Sequence, residues 1–140
     1  MAEEWSLASP EEARKRLREA GDSRLLVEGL GAVEKYGEAR WGRLLLAHGA
    51  GAGQDSSFMV ALRESLAENG VQSLAIEFGY MREMRREKRR RPPPKVERLV
   101  DEMARWCDIV PQTEESPVWL GGKSLGGRVA SLLAARPPSD

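Results

Sequence analysis

The 140-residue chain predicts an α/β fold with a parallel sheet, and three observations carry that expectation. From residue 43 onward, short apolar runs alternate with segments of helical periodicity, the order that builds β–α–β crossovers. The run Leu44 to Ala47 (LLLA) is apolar at every position, as in a strand covered on both faces. A glycine-rich turn, HGAGAG, follows it at once, and a helix signal opens a few residues later.

The elements follow in order. Ser9 as N-cap, Pro10 at the first helical position and Glu12 form a capping box for a helix that ends near Gly21. That helix carries mostly charge, with Ala13, Leu17 and Ala20 as its apolar residues, so loose packing is expected, and residues 1–22 are read as a helical extension. Residues 23–140 form the α/β domain. RLLVEGLG and AVEKYG are two weaker strands, and GRLLLA is the strong one. Asp55 or Ser56 caps the next helix, where Phe58, Met59, Leu62 and Leu66 repeat at helical spacing and Gly70 closes the end. VQSLAIEF is a strand, and the basic run MREMRREKRRRPPPK reads as a loop. Val96, Leu99, Val100, Met103, Trp106, Cys107 and Val110 then share one helical face, ended by Pro111. VWLGG is the last strand and LGGRVASLLAA the last helix.

Composition excludes several classes of function. Lys+Arg and Asp+Glu balance at 22 each, so no global field draws the chain toward nucleic acid or an anionic membrane. The start MAEEWSLASPEE has no apolar leader and no run approaches a membrane span, which sets the expectation of a soluble, cytoplasmic protein. The lone Cys107 precludes an internal disulfide and a CxxC zinc site, and on its apolar face it reads as a small buried hydrophobe. No motif calls for a metal or a cofactor.

Pro117 to Gly127 read PVWLGGKSLGG, and two motifs compete for them. A P-loop needs G-x-x-x-x-G-K-S/T, and counting back from Gly122, Lys123 and Ser124 puts Pro117 where the first glycine belongs. Proline has no N–H and a fixed φ, so that reading fails. A nucleophile elbow needs G-x-S-x-G between a strand and a helix, since its serine sits on a strained turn with no room for flanking side chains. Gly122, Lys123, Ser124, Leu125 and Gly126 satisfy it, against the plainer alternative of a serine that only caps a helix. Acyl transfer also needs N–H donors for an oxyanion, one from the residue after the nucleophile and one from a glycine-rich loop after an early strand. Leu125 supplies the first, and Ala50 or Gly51, after His48 and Gly49, the second. His48 is read as shaping that loop rather than moving protons.

HGAGAGQDS, FGYMREMRREKRRRPPP and LGGKSLGGRVAS, in that order, resemble a bacterial branch of the α/β-hydrolase superfamily. The branch is related to dienelactone-hydrolase-like proteins and to the hydrolase-like domain of a eukaryotic chromatin-complex subunit. The resemblance covers roughly residues 25–136. It implies Ser124 as nucleophile, Leu125 and the Ala50/Gly51 turn as oxyanion hole, and a small acyl compound as substrate. In that fold the triad acid and histidine follow the nucleophile. After Ser124 only sixteen residues remain, with no histidine and one carboxylate, Asp140. The sequence therefore reads as the N-terminal two thirds of such a fold. VWLGG should then have a bare edge, which predicts a homodimer, a complementing C-terminal chain or poor solubility.

Residues 82–95 hold eight of the 22 basic side chains, among them Arg86, Arg89, Arg90 and Arg91. A run leaving the C-terminal end of a strand lies on the rim where α/β folds bind ligands, so an anionic substrate is one reading. A solvated loop partly neutralised by Glu83 and Glu87 is the other. With no aromatic beyond Tyr80, stacking on single-stranded nucleic acid is not expected. Two functions remain: a serine hydrolase of an ester or related acyl substrate, impaired for want of a base, or a non-catalytic binding or scaffold module that uses the basic run.

Overall fold

The computed structural model describes residues 5–137. The elements are β1 (Ser6–Ala8), α1 (Pro10–Arg18), β2 (Ser23–Val27), β3 (Gly31–Tyr36), β4 (Gly42–Ala47), α2 (Ser57–Glu68), β5 (Val71–Ile76), α3 (Gly79–Glu87), α4 (Val96–Ile109), β6 (Val118–Gly122) and α5 (Leu125–Ala134). They form one six-stranded sheet in the order β1-β2-β3-β5-β4-β6 with helices on its faces.

The sheet is mixed rather than wholly parallel, because β3 runs antiparallel to both β2 and β5. The cause is local: Glu28, Gly29 and Leu30 connect β2 to β3, a hairpin too short for anything but an antiparallel return. β4 pairs in parallel with β5 on one side and β6 on the other, so its LLLA run is central. Among the described residues β6 has no strand on its second edge.

Alternation along the strands divides the two faces. Leu45 and Ala47 of β4 and Leu74 and Ile76 of β5 meet Leu99, Val100, Met103, Trp106 and Ile109 of α4 and Val129 and Ala130 of α5. Cys107 lies at the margin of this core, and burial raises its thiol pKa. α2 covers β5 on the opposite face through Met59 and Arg63. Trp119 of β6 pairs in register with Leu44 on that face and stands 68% exposed.

Three expectations are corrected here. α1 has the capping box and proline the sequence implies, yet it does not pack loosely: Ala13 and Leu17 are buried against β2 and α4. Lys35 of β3, itself buried, donates from Nζ to the Arg16 and Glu19 carbonyls and so caps the end of α1. The basic run is half helix, because Tyr80, Met81 and Met84 give α3 an apolar face beneath its arginines. Phe58, placed with the apolar residues of α2, is instead half exposed.

This division of the faces sets unequal costs for two tryptophans. Trp106→Ala should lose about 3–5 kcal/mol in urea unfolding, and Trp119→Ala no more than about 0.5 kcal/mol. Equal losses would mean that the open face is covered as well as the core.

Candidate active site

The candidate residues converge at the C-terminal ends of β4 and β6. Ser124 follows β6 with φ 55° and ψ −114°, one of two non-glycine residues with positive φ in the described chain. Such a conformation costs on the order of 1–3 kcal/mol and persists only where its surroundings enforce it. Those surroundings are glycines in close contact. A Cβ on Gly122 would lie 2.6 Å from the Gly126 carbonyl oxygen, and one on Gly126 would lie 2.5 Å from that of His48. Both positions exclude a side chain, and the tight turn is what lifts Ser124 to the surface, where its side chain is exposed.

The same contact brings the second loop alongside. A Cβ on Gly49 would touch the Lys123 carbonyl and the Ser124 Cβ at 3.5 and 3.9 Å. The Lys123 N–H donates to Ala47 O at 3.1 Å, joining the two loop mouths. Lys123 Nζ sits 4.5 Å above the Phe58 ring, a cation–π pair beside Ser124.

His48 is buried and both its ring nitrogens are engaged. Nδ1 donates to Gly49 O at 2.7 Å and Nε2 accepts from the Phe78 N–H at 3.0 Å, which defines the neutral tautomer. Burial lowers its pKa, reinforcing the neutral form. The ring therefore has no nitrogen to offer Ser124. Tyr80, missed as a site residue, donates its hydroxyl to the Ala50 and Gly49 carbonyls at 3.1 and 3.4 Å. Burial pushes its phenol up to about 12, so it stays a donor at any ordinary pH.

The N–H groups of Ala50 and Gly51 donate to no acceptor among the described residues. Leu125 opens α5, so its N–H has no partner within the helix. Ser124 Oγ likewise has no hydrogen-bond partner among the described residues, and Asp140 lies outside them.

The four candidate anion-binding arginines separate. Arg90 and Arg91 line a cavity of about 300 Å³ together with Ala50, Gly51, Met84 and Pro92. Arg86 and Arg89 lie outside it. Arg91 is paired with Glu87 at 2.7 Å and Glu83 at 3.3 Å, and Arg86 with Glu83 at 3.6 Å. Arg89 and Arg90 make no side-chain ion pair among the described residues. A cavity of about 850 Å³ lies against Pro92, Pro93 and Pro94, bounded by Leu30, Tyr80 and Glu102, and reaches neither Ser124 nor Ala50. Among the described residues no group of three His, Cys, Asp or Glu side chains is placed to hold a metal, and no helix is long and apolar enough to cross a membrane.

The family model for the alpha/beta hydrolase domain matches residues 40–139. The chain belongs to the α/β-hydrolase family. Its fold is similar to a dienelactone hydrolase from Anabaena variabilis, at TM-score 0.63 and 20% identity over 82% of this chain and 57% of that one. Est1E from Butyrivibrio proteoclasticus is similar at TM-score 0.58 and 17% identity, over 83% of this chain and 46% of Est1E. TT1662 from Thermus thermophilus gives 0.55 and 29%, over 82% and 51%. The chain thus spans about half the length of these structures. No curated protein matches it.

The glycine contacts make unequal demands. Gly126→Ala should cost about 1–3 kcal/mol or more, as an overpacked site does. Gly51→Ala, whose Cβ would meet open space, should stay within about 0.5 kcal/mol. Chemical denaturation of the two variants checks the difference.

Proposed function

We propose that Ser124 is the nucleophile of a serine hydrolase acting on an ester or related acyl compound. The observation that carries this reading is its positive-φ conformation between Gly122 and Gly126, at a strand-to-helix turn beside a glycine loop with free N–H groups. The Ser124 Oγ would bond to the acyl carbon as the ester C–O bond breaks and the alcohol leaves. The N–H groups of Leu125 and of Ala50 or Gly51 would hold the oxyanion. Arg90, with no ion-pair partner on the rim of the Ala50/Gly51 cavity, would hold an anionic part of the substrate.

A base is the missing component. The neutral His48 is occupied by Phe78 and Gly49, and these 140 residues contain no other histidine. A hydroxyl without a base is a weak nucleophile. Loss of a triad costs about 10⁶-fold and leaves about 10³–10⁴ over water from binding and the oxyanion hole. Full turnover would need an acid and a histidine from polypeptide outside these residues. The open edge of β6, next to Ser124, is where such a segment would pair.

A fluorophosphonate probe tests the nucleophile: the Ser124 Oγ–P bond forms, fluoride leaves and the hydroxyl proton passes to water. Wild type should label slowly at neutral pH, and about tenfold faster per pH unit as the alkoxide fraction rises. Ser124→Ala should not label. An unlabelled wild type would leave the non-catalytic scaffold reading, for which the unpaired Arg89 and Arg90 speak. For the anionic part, Arg90→Ala should weaken capture of a carboxylate-bearing probe about tenfold and spare a neutral one. Capture insensitive to salt and to this change would sink that assignment.

A further inference from the structure

The run Gly49, Ala50, Gly51, Ala52, Gly53 has no side chain larger than a methyl. Ordering so many glycines costs much backbone entropy, and Ala50, Gly51 and Ala52 are exposed rather than packed. The loop's order must therefore come from its ends. His48 and the Tyr80 hydroxyl hold the first end through the Gly49 and Ala50 carbonyls.

Two side chains from helices hold the second end: Arg63 of α2 donates from Nη2 to Gln54 O at 3.2 Å, and Arg85 of α3 reaches further into the loop. Arg85 of α3 donates to both Asp55 carboxylate oxygens, from Nη1 at 2.8 Å and from Nη2 at 2.6 Å, and from Nη2 to Gln54 Oε1 at 3.2 Å. Its Nε lies 2.9 Å from Glu77 Oε2, just beyond β5. The guanidinium crosses directly over Gly53, where a Cβ would collide with Nη2. Glu77 is the fixed point of this clamp. Its side chain is 4% exposed, and its other oxygen accepts no hydrogen bond, with Arg82 3.7 Å away. The Asp55 side chain, by contrast, is 58% exposed. An exposed pair adds little to global stability, so the effect of the Asp55 contact is local to the loop.

We propose that Arg85 is a positioning residue of the glycine loop, locking its far end to the buried Glu77 and so holding the Ala50 and Gly51 N–H groups beside the Ser124 turn. Arg85 touches no reacting atom and acts only by holding the Gln54 and Asp55 side chains at the loop's far end. The consequence for Ser124 rests on the serine-hydrolase reading above, whereas the order of the loop does not.

Hydrogen exchange of Arg85→Lys, Arg85→Met and Asp55→Asn tests it. Asp55→Asn leaves Glu77 paired, so it stays informative if Arg85→Met fails to fold. Amides 49–55 should exchange about tenfold faster or more in Asp55→Asn and Arg85→Met, with β4 and β5 unchanged and Arg85→Lys intermediate. Loop exchange as in wild type, or an increase spread evenly over the chain, would overturn the proposal. Where wild type labels with the fluorophosphonate, the variants should lower the maximal labelling rate and spare the half-saturating probe concentration. Unchanged labelling beside a loosened loop would also overturn it. A wild type that does not label counts against the serine-hydrolase reading, while the exchange data still decide the role of Arg85.

Discussion

The contact on which the site depends is the approach of Gly126 to the backbone carbonyls of Ala47 and His48. It lets the first turn of α5 press against the end of β4, two elements joined in sequence only through α2, β5, α3, α4 and β6. Gly122 packs under Gly126 in the same way, and the backbone between them can close only by taking Ser124 to positive φ. The exposed hydroxyl, the Leu125 N–H at a helix start and the adjacent Gly49 all follow from that one close packing. A methyl on Gly126 would separate β4 from α5, and one on Gly122 would separate β6 from α5.

Around this contact the protein builds a rigid frame for a loop that cannot order itself. A neutral histidine at the loop's start, fixed by the Gly49 carbonyl and the Phe78 N–H, a tyrosine hydroxyl kept protonated by burial and an arginine clamp hold it. The Phe78 N–H that fixes His48, the Tyr80 hydroxyl and Arg85 all lie on or just before α3, so the segment after β5 supports the loop after β4. Two opposed shifts mark the clamp: the Arg85 hydrogen bond holds the Asp55 carboxyl below its ordinary pKa, while burial holds that of Glu77 above it. The guanidinium joins a solvated carboxylate to a buried one, which suits a tether between a glycine-rich loop and the end of a core strand. Half of the basic run, Arg82, Arg85, Arg86 and Arg91, is spent on internal pairs, leaving Arg90 as the unpaired guanidinium on the rim of the Ala50/Gly51 cavity.

Much of this was legible in the sequence. The strands from Ser23 to Ala47, the capping box of α1, the apolar face of α4 and the strand, turn and helix around Ser124 announce themselves through periodicity, caps and glycine placement. What escaped was settled by neighbours. β1 is three residues long and exists by pairing with β2. α3 was hidden because its charges outnumber the three residues that face the core. Phe58 fits the period of α2, yet it lies beside Lys123 at the site rather than in the core.

The sequence by itself determined the local chemistry: which glycines admit a strained turn, where a serine is presented and that these 140 residues hold one histidine. These are properties of single residues and their immediate neighbours, so they survive without knowledge of the fold. Only the tertiary structure decided which arginines matter and to what. Arg85 and Arg90 look alike in a basic run, but one closes on Glu77 and Asp55 while the other faces a cavity beside Ala50. That difference arises because Arg85 lies on α3 and Arg90 beyond its end, and from the approach of loops remote in sequence, neither of which is written in composition or spacing.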